Sequence, residues 1–396
     1  MITHTAPSIK KQVYERIFEH GTVSKADLLQ HFAVASSSLT RLLEDMISQG
    51  LIIVSGFGSS TGGRKPILFQ TNPKHRYLLG LEISRLYSKL GLYDLHLKTL
   101  SLTRWEMDTH MTPGRLVELV GEAAETFLDR EGITPDQLLG IGVGAVGPLD
   151  QKNGVILEPE LFPSPSWKNV PVCELLTARL GVPARLDNGA NTALIGEHWA
   201  FREEKVEHAL YVHAGVNIRS GLMSGGQIIR GAVDTEGAVG QMIIRTEGPR
   251  LREKGNYGAL EAYVSIPSLE ERIRSQLAGG RSSLLSGLAP ERLTFPVLAE
   301  ALAQGDILVK EQFTETAHYL GIGLANLINT FHPEYVILGG PLVNADPLVF
   351  TTAVEVAKKN TYRYPEYSPV FTQGALRDEA VATGAAIMLL HEWQLN

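Results

Sequence analysis

The sequence predicts an α/β protein in two parts: a winged helix-turn-helix over residues 1–70, then a two-lobed α/β domain over residues 71–396. Three observations carry this. Near the N-terminus, apolar residues recur at helical spacing in three short runs that lead into a hairpin. Two similar strand–turn–strand passages open at Tyr77 and Ala209. Between them, "ARLDNGANTALIGEHW" delivers Asp187, Asn188 and Asn191 where an apolar strand gives way to a helical pattern from Thr192, the usual place for a ligand crevice. The cleft is therefore expected near residues 187–191.

Composition is that of a globular chain: 396 residues, 44% hydrophobic, 20% charged, net charge −7. No run approaches the ~20 apolar residues of a membrane span, and the N-terminus lacks a secretory apolar region. Cys173 is the one cysteine, which excludes an internal disulfide framework and a multi-cysteine zinc cluster and points to a reducing cytoplasm. The charge is uneven. Residues 1–70 hold seven Lys/Arg and five Asp/Glu, a balance of +2, so the remainder carries −9. A mildly basic head on an acidic body fits a nucleic-acid module fused to something else.

In the head, Ile9, Val13 and Ile17 mark a first helix that Gly21 ends. Ser24 with Asp27 reads as a capping-box start for a second helix carrying Leu28, Leu29 and Phe32. After the short "AVAS", a third helix places Leu39, Leu42, Leu43, Met46 and Ile47 on one stripe and stops at Gly50. Leu51–Val54 and Ile67–Gln70 read as two strands around a Gly/Ser-rich tip with Arg64 and Lys65. Ser36, Ser37, Ser38, Thr40 and Arg41 stand at the start of the third helix, where hydroxyls and a guanidinium can reach phosphates and base edges in the major groove. "GGRKP" suits a minor-groove hook, since glycines let the backbone sink and the narrow groove attracts Arg64 and Lys65. The partner implied is a double-stranded DNA operator. The competing possibility is a protein-binding module, against which the small, cationic wing counts.

In the body, "LLGIGVGAVGPLDQKNGVIL" is a buried strand entering a glycine-rich turn. Its Gly140, Gly142, Gly147, Leu149 and Asp150 resemble the "GIGxxGPxD" segment of the ROK family, which groups sugar kinases and sugar-responsive repressors on an actin/hexokinase-like fold. "DNGANTALIGE" resembles the family's "ENDxNxxAxGE", "GNYGALEAYVS" its "GxxGCLExxxS", "ANLINTFHPEYVILGGPL" its "NxxNxxxPExIxxGGG", and "VATGAAIML" its closing helix. With the winged helix ahead of it, the likeness is to the repressor branch.

That resemblance also shows what is missing. Family kinases place the Asp that takes the sugar proton directly after the Asn of "END"; here the position is Gly189. Losing a general base typically removes about 10²–10⁴-fold in rate. The first phosphate turn, usually "DxGGT", reads Glu82-Ile83-Ser84-Arg85-Leu86, and the second, usually "GTGIG", reads Gly215-Val216-Asn217-Ile218-Arg219. Side chains there crowd the close approach that phosphate needs; the alternative is that Arg85 and Arg219 bind phosphate themselves. The family's structural zinc uses a His and three Cys, but Gln241 and Ala259 hold two of those positions and no cysteine lies nearby, so no metal is expected.

Of the sugar cage, Asn188 and Glu261 survive, while Gln241 keeps hydrogen-bonding capacity without charge. Asn188 fits equally a cap of the following helix. The resemblance therefore implies no catalytic residue, no cofactor, and a carbohydrate effector held by Asn188, Gln241 and Glu261 in a cytoplasmic homodimer or homotetramer that regulates carbohydrate genes as a repressor. The rivals are a sugar kinase with an atypical base and a constitutive DNA-binding protein with a vestigial pocket.

Overall fold

The structure, a computed structural model, describes residues 8–59, 65–234, 238–253 and 255–392. In the head, α1 (Ile9–His20), α2 (Lys25–His31) and α3 (Ser36–Ser48) pack on a small antiparallel sheet of β1 (Val23–Ser24), β2 (Ile52–Phe57) and β3 (Ile67–Thr71), in the order β1-β3-β2. The capping box forms as the sequence requires: Ser24 N–H donates to Asp27 Oδ2 (2.8 Å) and Asp27 N–H to Ser24 Oγ (3.2 Å). Val13, Ile17, Leu28, Leu39, Leu43 and Met46 meet Phe69 in the core. The apolar stripe of α3 is narrower than its sequence implies, because Ile47 stays exposed at the rim of a surface groove shared with Lys25 and Ala26. The first strand of the wing, β2, runs on to Phe57, its pairing with β3 carried past Val54 by a register shift between Val54 and Gly56.

The first lobe opens with the meander β4 (Tyr77–Ile83), β5 (Tyr87–Asp94) and β6 (Thr99–Glu106), followed by α4 (Pro113–Glu131) and β7 (Leu138–Ala145). A short hairpin, β8 (Leu149–Asp150) and β9 (Val155–Ile156), leads to α5 (Val172–Leu180) and β10 (Ala184–Asn188). Helix α6 (Gly189–Ala200) then crosses to the second lobe. It begins directly at Gly189 rather than Thr192, because the Asn188 side chain accepts the Asn191 N–H and starts the helix earlier.

The second lobe repeats the plan with β11 (Ala209–Ala214), β12 (Ile218–Ser224) and β13 (Gln227–Ile228). There follow α7 (Ile266–Ala278), α8 (Phe295–Ala303), α9 (Ile307–Phe331), β14 (Tyr335–Gly339), α10 (Pro341–Asn344), α11 (Pro347–Asn360), β15 (Val370–Thr372) and α12 (Ala380–Glu392). The sheets run β6-β5-β4-β7-β10 and β13-β12-β11-β14-β15: in each, a meander reaches the centre and two parallel strands complete the sheet. The two turns that face each other across the cleft, β4–β5 and β11–β12, are thus equivalent points of one repeated topology.

Between the sheets lie α6 and α12, in backbone contact. A Cβ on Gly384 would stand 1.6 Å from Thr192 O, and one on Gly142 would stand 1.8 Å from Ala385 O. The absence of side chains at these points is what lets two helices and a strand share one narrow layer.

Candidate functional site

The cleft has two polar halves, and the end of β10 divides them. On one side Asp187, 1% exposed, is held by donors from three segments. Its Oδ1 accepts from Gln151 Nε2 (2.7 Å), the Asn188 N–H (2.7 Å) and Asn191 Nδ2 (3.2 Å), while its Oδ2 takes Arg230 Nη2 (2.5 Å). Arg230 Nη1 also donates to Gln151 Oε1 (2.8 Å), which ties the β13 loop to the first lobe. Asn188 does two jobs: its Oδ1 caps α6 and its Nδ2 donates to Asp234 Oδ1 (3.0 Å), whose other oxygen accepts from the Leu149 N–H (3.0 Å). Around these groups opens a cavity of about 760 Å³, lined by Asn188, Asn191, Ser220, Arg230 and Asp234 with apolar Leu149, Leu157 and Val239. Such a mixture of apolar wall and convergent polar groups suits a small polyhydroxylated molecule.

The other half is bridged between its turns, and a smaller cavity of about 360 Å³, lined by Glu82, His213, Gly340 and Asp378, opens beside the bridge. Arg85, from the β4–β5 turn, donates its Nε to Glu160 O (2.6 Å) and its Nη1 to Asn217 Oδ1 (2.8 Å) in the opposing turn. Arg219 is buried, and its Nη1 lies 3.1 Å from where a side chain on Gly189 would begin. Beneath them Glu82 is buried with Oε2 unmatched among the described residues. Burial pushes its carboxyl up to about 7, against the pull of Lys89 and Arg219. Burial also holds the His213 imidazole well below its ordinary range, helped by Arg219 and Arg85. Arg85 is thus committed to the protein itself, whereas Arg219 is buried with its Nε unmatched among the described residues.

Asn188 lines the cavity; Gln241 and Glu261 form a separate group beside it. Gln241 Nε2 donates to Glu261 Oε2 (3.2 Å), Arg252 pairs with Glu261 and with Glu160, and Asn256 bonds Gln241 through its N–H (2.8 Å) and Nδ2 (2.9 Å). A zinc ion does not fit here. The Gln241 amide is engaged at both atoms, and backbone bonds such as Leu260 N–H to Met242 O (2.8 Å) hold the turn. Among the described residues no three His, Cys, Asp or Glu side chains gather as a metal site. Sequence reasoning missed Gln151, Arg230 and Asp234, whose only signal was their place in loops beside glycine-bearing strand turns.

In the head, Ser36, Ser37, Ser38 and Arg41 are exposed at the start of α3, and Ala35 rather than a serine is its N-cap. Thr40 is half-buried: its hydroxyl donates to Ser36 O (2.9 Å) and accepts from Lys25 Nζ (2.5 Å), so Lys25 joins this surface unannounced by the sequence. Lys65 is exposed where the hairpin returns; Arg64 lies outside the described residues. No described helix is long and apolar enough to cross a membrane.

The ROK family model matches residues 78–392. The xylose repressor of Caldicellulosiruptor bescii is 26% identical over 384 residues, covering 97% of this chain and 95% of its own length. A solved ROK family transcriptional regulator, described as a homolog of the E. coli MLC protein, superposes with a TM-score of 0.77 at 21% identity over 96% of this chain and 95% of its own. A ROK hexokinase from Thermus thermophilus is 27% identical with a TM-score of 0.63, and covers 80% of this chain and 98% of its own.

Proposed function

The chain belongs to the ROK family, and we propose that it is a transcriptional repressor of carbohydrate genes whose kinase-like domain holds a saccharide without phosphorylating it. One observation carries the proposal: the Arg219 guanidinium lies against Gly189, the position from which the family's kinases reach the sugar hydroxyl with an Asp. Gly189 offers no carboxylate at that position, and a cation lies beside it. Asn217 and Arg85 bridge the two turns, which sets side chains where the family's kinases have glycines. The extent of the relatives supports the same division, since the hexokinase matches 80% of the chain while the xylose repressor matches 97%.

In this function the head binds duplex DNA through Ser36, Ser37, Ser38, Thr40 and Arg41 of α3 and Arg64 and Lys65 of the wing. Two copies of the chain would meet a pseudo-palindromic operator. A saccharide enters beside Asn188, with Gln241 and Glu261 shaping the far wall, and favours one arrangement of the lobes by differential affinity. The test is a coupled ATP-turnover assay over pentoses and hexoses, run beside selection of duplexes from a random pool. Background ATP consumption together with selection of a defined duplex supports the proposal; saccharide-dependent ATP consumption makes the chain a kinase.

A further inference from the structure

Helix α6 spans the distance between the cavity and the head. Its N-terminal turn carries Asn188 as cap and Asn191 in the cavity wall. Its last turn carries Trp199, whose ring lies 5.2 Å from that of Phe18 on α1 of the head, with Arg202 stacked 4.7 Å over the same indole. Twelve residues make about 18 Å of helix, and no proline interrupts them.

The helix is held as a rigid body. Glu197 is fully buried, and its carboxylate accepts the N–H groups of Ala375 (2.6 Å), Leu376 (3.1 Å) and Arg377 (3.0 Å). Gly384 lets α12 touch the helix midway. A shift at Asn188 would therefore carry α6 together with the 375–377 turn and α12 to which it is bonded. The head meets the body at a second point, where Thr71 Oγ1 and His96 Nε2 share a 2.8 Å hydrogen bond beside the covalent junction. That contact is placed as a pivot and Trp199 as the lever. Phe18 stands one residue beyond Ile17, a core residue of the head that packs with Leu39 and Leu43 of α3, so displacing Phe18 tilts the helix that faces DNA.

We propose that Trp199 and Phe18 are positioning residues through which occupancy of the cleft sets the orientation of the DNA-binding head. The proposal rests on the repressor function given above. By reciprocity, DNA held by the head must alter the N-terminal turn of α6.

The experiment is amide hydrogen exchange on the full chain, with and without a duplex selected by the wild-type protein. In the wild type, exchange over residues 188–192 is expected to change by roughly fivefold or more on DNA binding. In Phe18→Ala the change disappears while the duplex is still bound. Trp199→Leu, which leaves the head unaltered, gives the same loss from the body side, and Trp199→Phe, which keeps a ring against Phe18, restores the response. An unchanged α6 in DNA-bound wild type overturns the relay alone, as does a response that survives in both Phe18→Ala and Trp199→Leu. Failure of the wild type to select any duplex overturns the repressor function and the relay with it.

Discussion

The two halves of the cleft start from equivalent material and end differently. On the phosphate side, the β4–β5 and β11–β12 turns carry Arg85, Asn217 and Arg219: Arg85 bridges to Asn217 and to the Glu160 carbonyl, and Arg219 lies buried beside Gly189. On the saccharide side, Asp187, Asn188, Arg230 and Asp234 also bond one another, but they do so around about 760 Å³ of open space. Under the proposed function, bridging one half while keeping the other open would leave a one-ligand receptor on a kinase-like scaffold. The difference is physical. Arg85 bridges the two turns from a buried position, whereas Arg230 is half-exposed and open to exchange with a ligand.

The largest expected effect comes from the spine the two halves share. Gly384→Ala forces a methyl to within 1.6 Å of the Thr192 carbonyl, and it should cost about 3 kcal/mol or more by urea unfolding. Loss of only one half's properties would show that the halves are independent. Next comes Glu82, which marks the closed half. The folded state keeps its proton to about pH 7 and the unfolded chain releases it near 4.5, so folding stability falls as pH rises through that window and is level above it. Glu82→Gln should remove this fall, gaining about 3 kcal/mol on the wild type between pH 4.5 and 7.5; parallel pH profiles would mean that the site is open to water.

On the open half, Arg230→Met removes one charged donor from Asp187 but leaves Gln151, Asn188 and Asn191 in place. A loss of about 1–2 kcal/mol is expected, with the Glu82 pH profile unmoved. A changed profile would couple the halves more tightly than their separate networks imply. The smallest effect lies outside the cleft. Lys65→Ala should weaken binding to all duplexes alike and lower the slope of log affinity against log salt by about one, measured by anisotropy.

What could be read from the sequence was local. Ser24 and Asp27 form their capping box three residues apart, and the apolar spacing of Val13 and Ile17 places α1. Gly189 could be recognised from its place in a motif as standing where the family's kinases carry an Asp. What could not be read was anything that arrives from far along the chain. Arg230 is 43 positions from Asp187, Gln151 is 36, and Arg85 is 132 from Asn217, so no periodicity links them. Two alternatives that the sequence left open at Asn188, cap or cavity wall, turn out to be compatible, because the side-chain oxygen caps while the nitrogen faces Asp234.

The central claim, a phosphate-closed and saccharide-open cleft beneath a DNA-reading head, meets its most direct test in one titration. The full chain is added to its selected duplex in the presence of ATP and magnesium, with and without each of a set of pentoses and hexoses, and the sugar is recovered for mass spectrometry. At least one sugar should shift the binding midpoint and come back unphosphorylated. A phosphorylated product, or a midpoint indifferent to every sugar that binds, contradicts it.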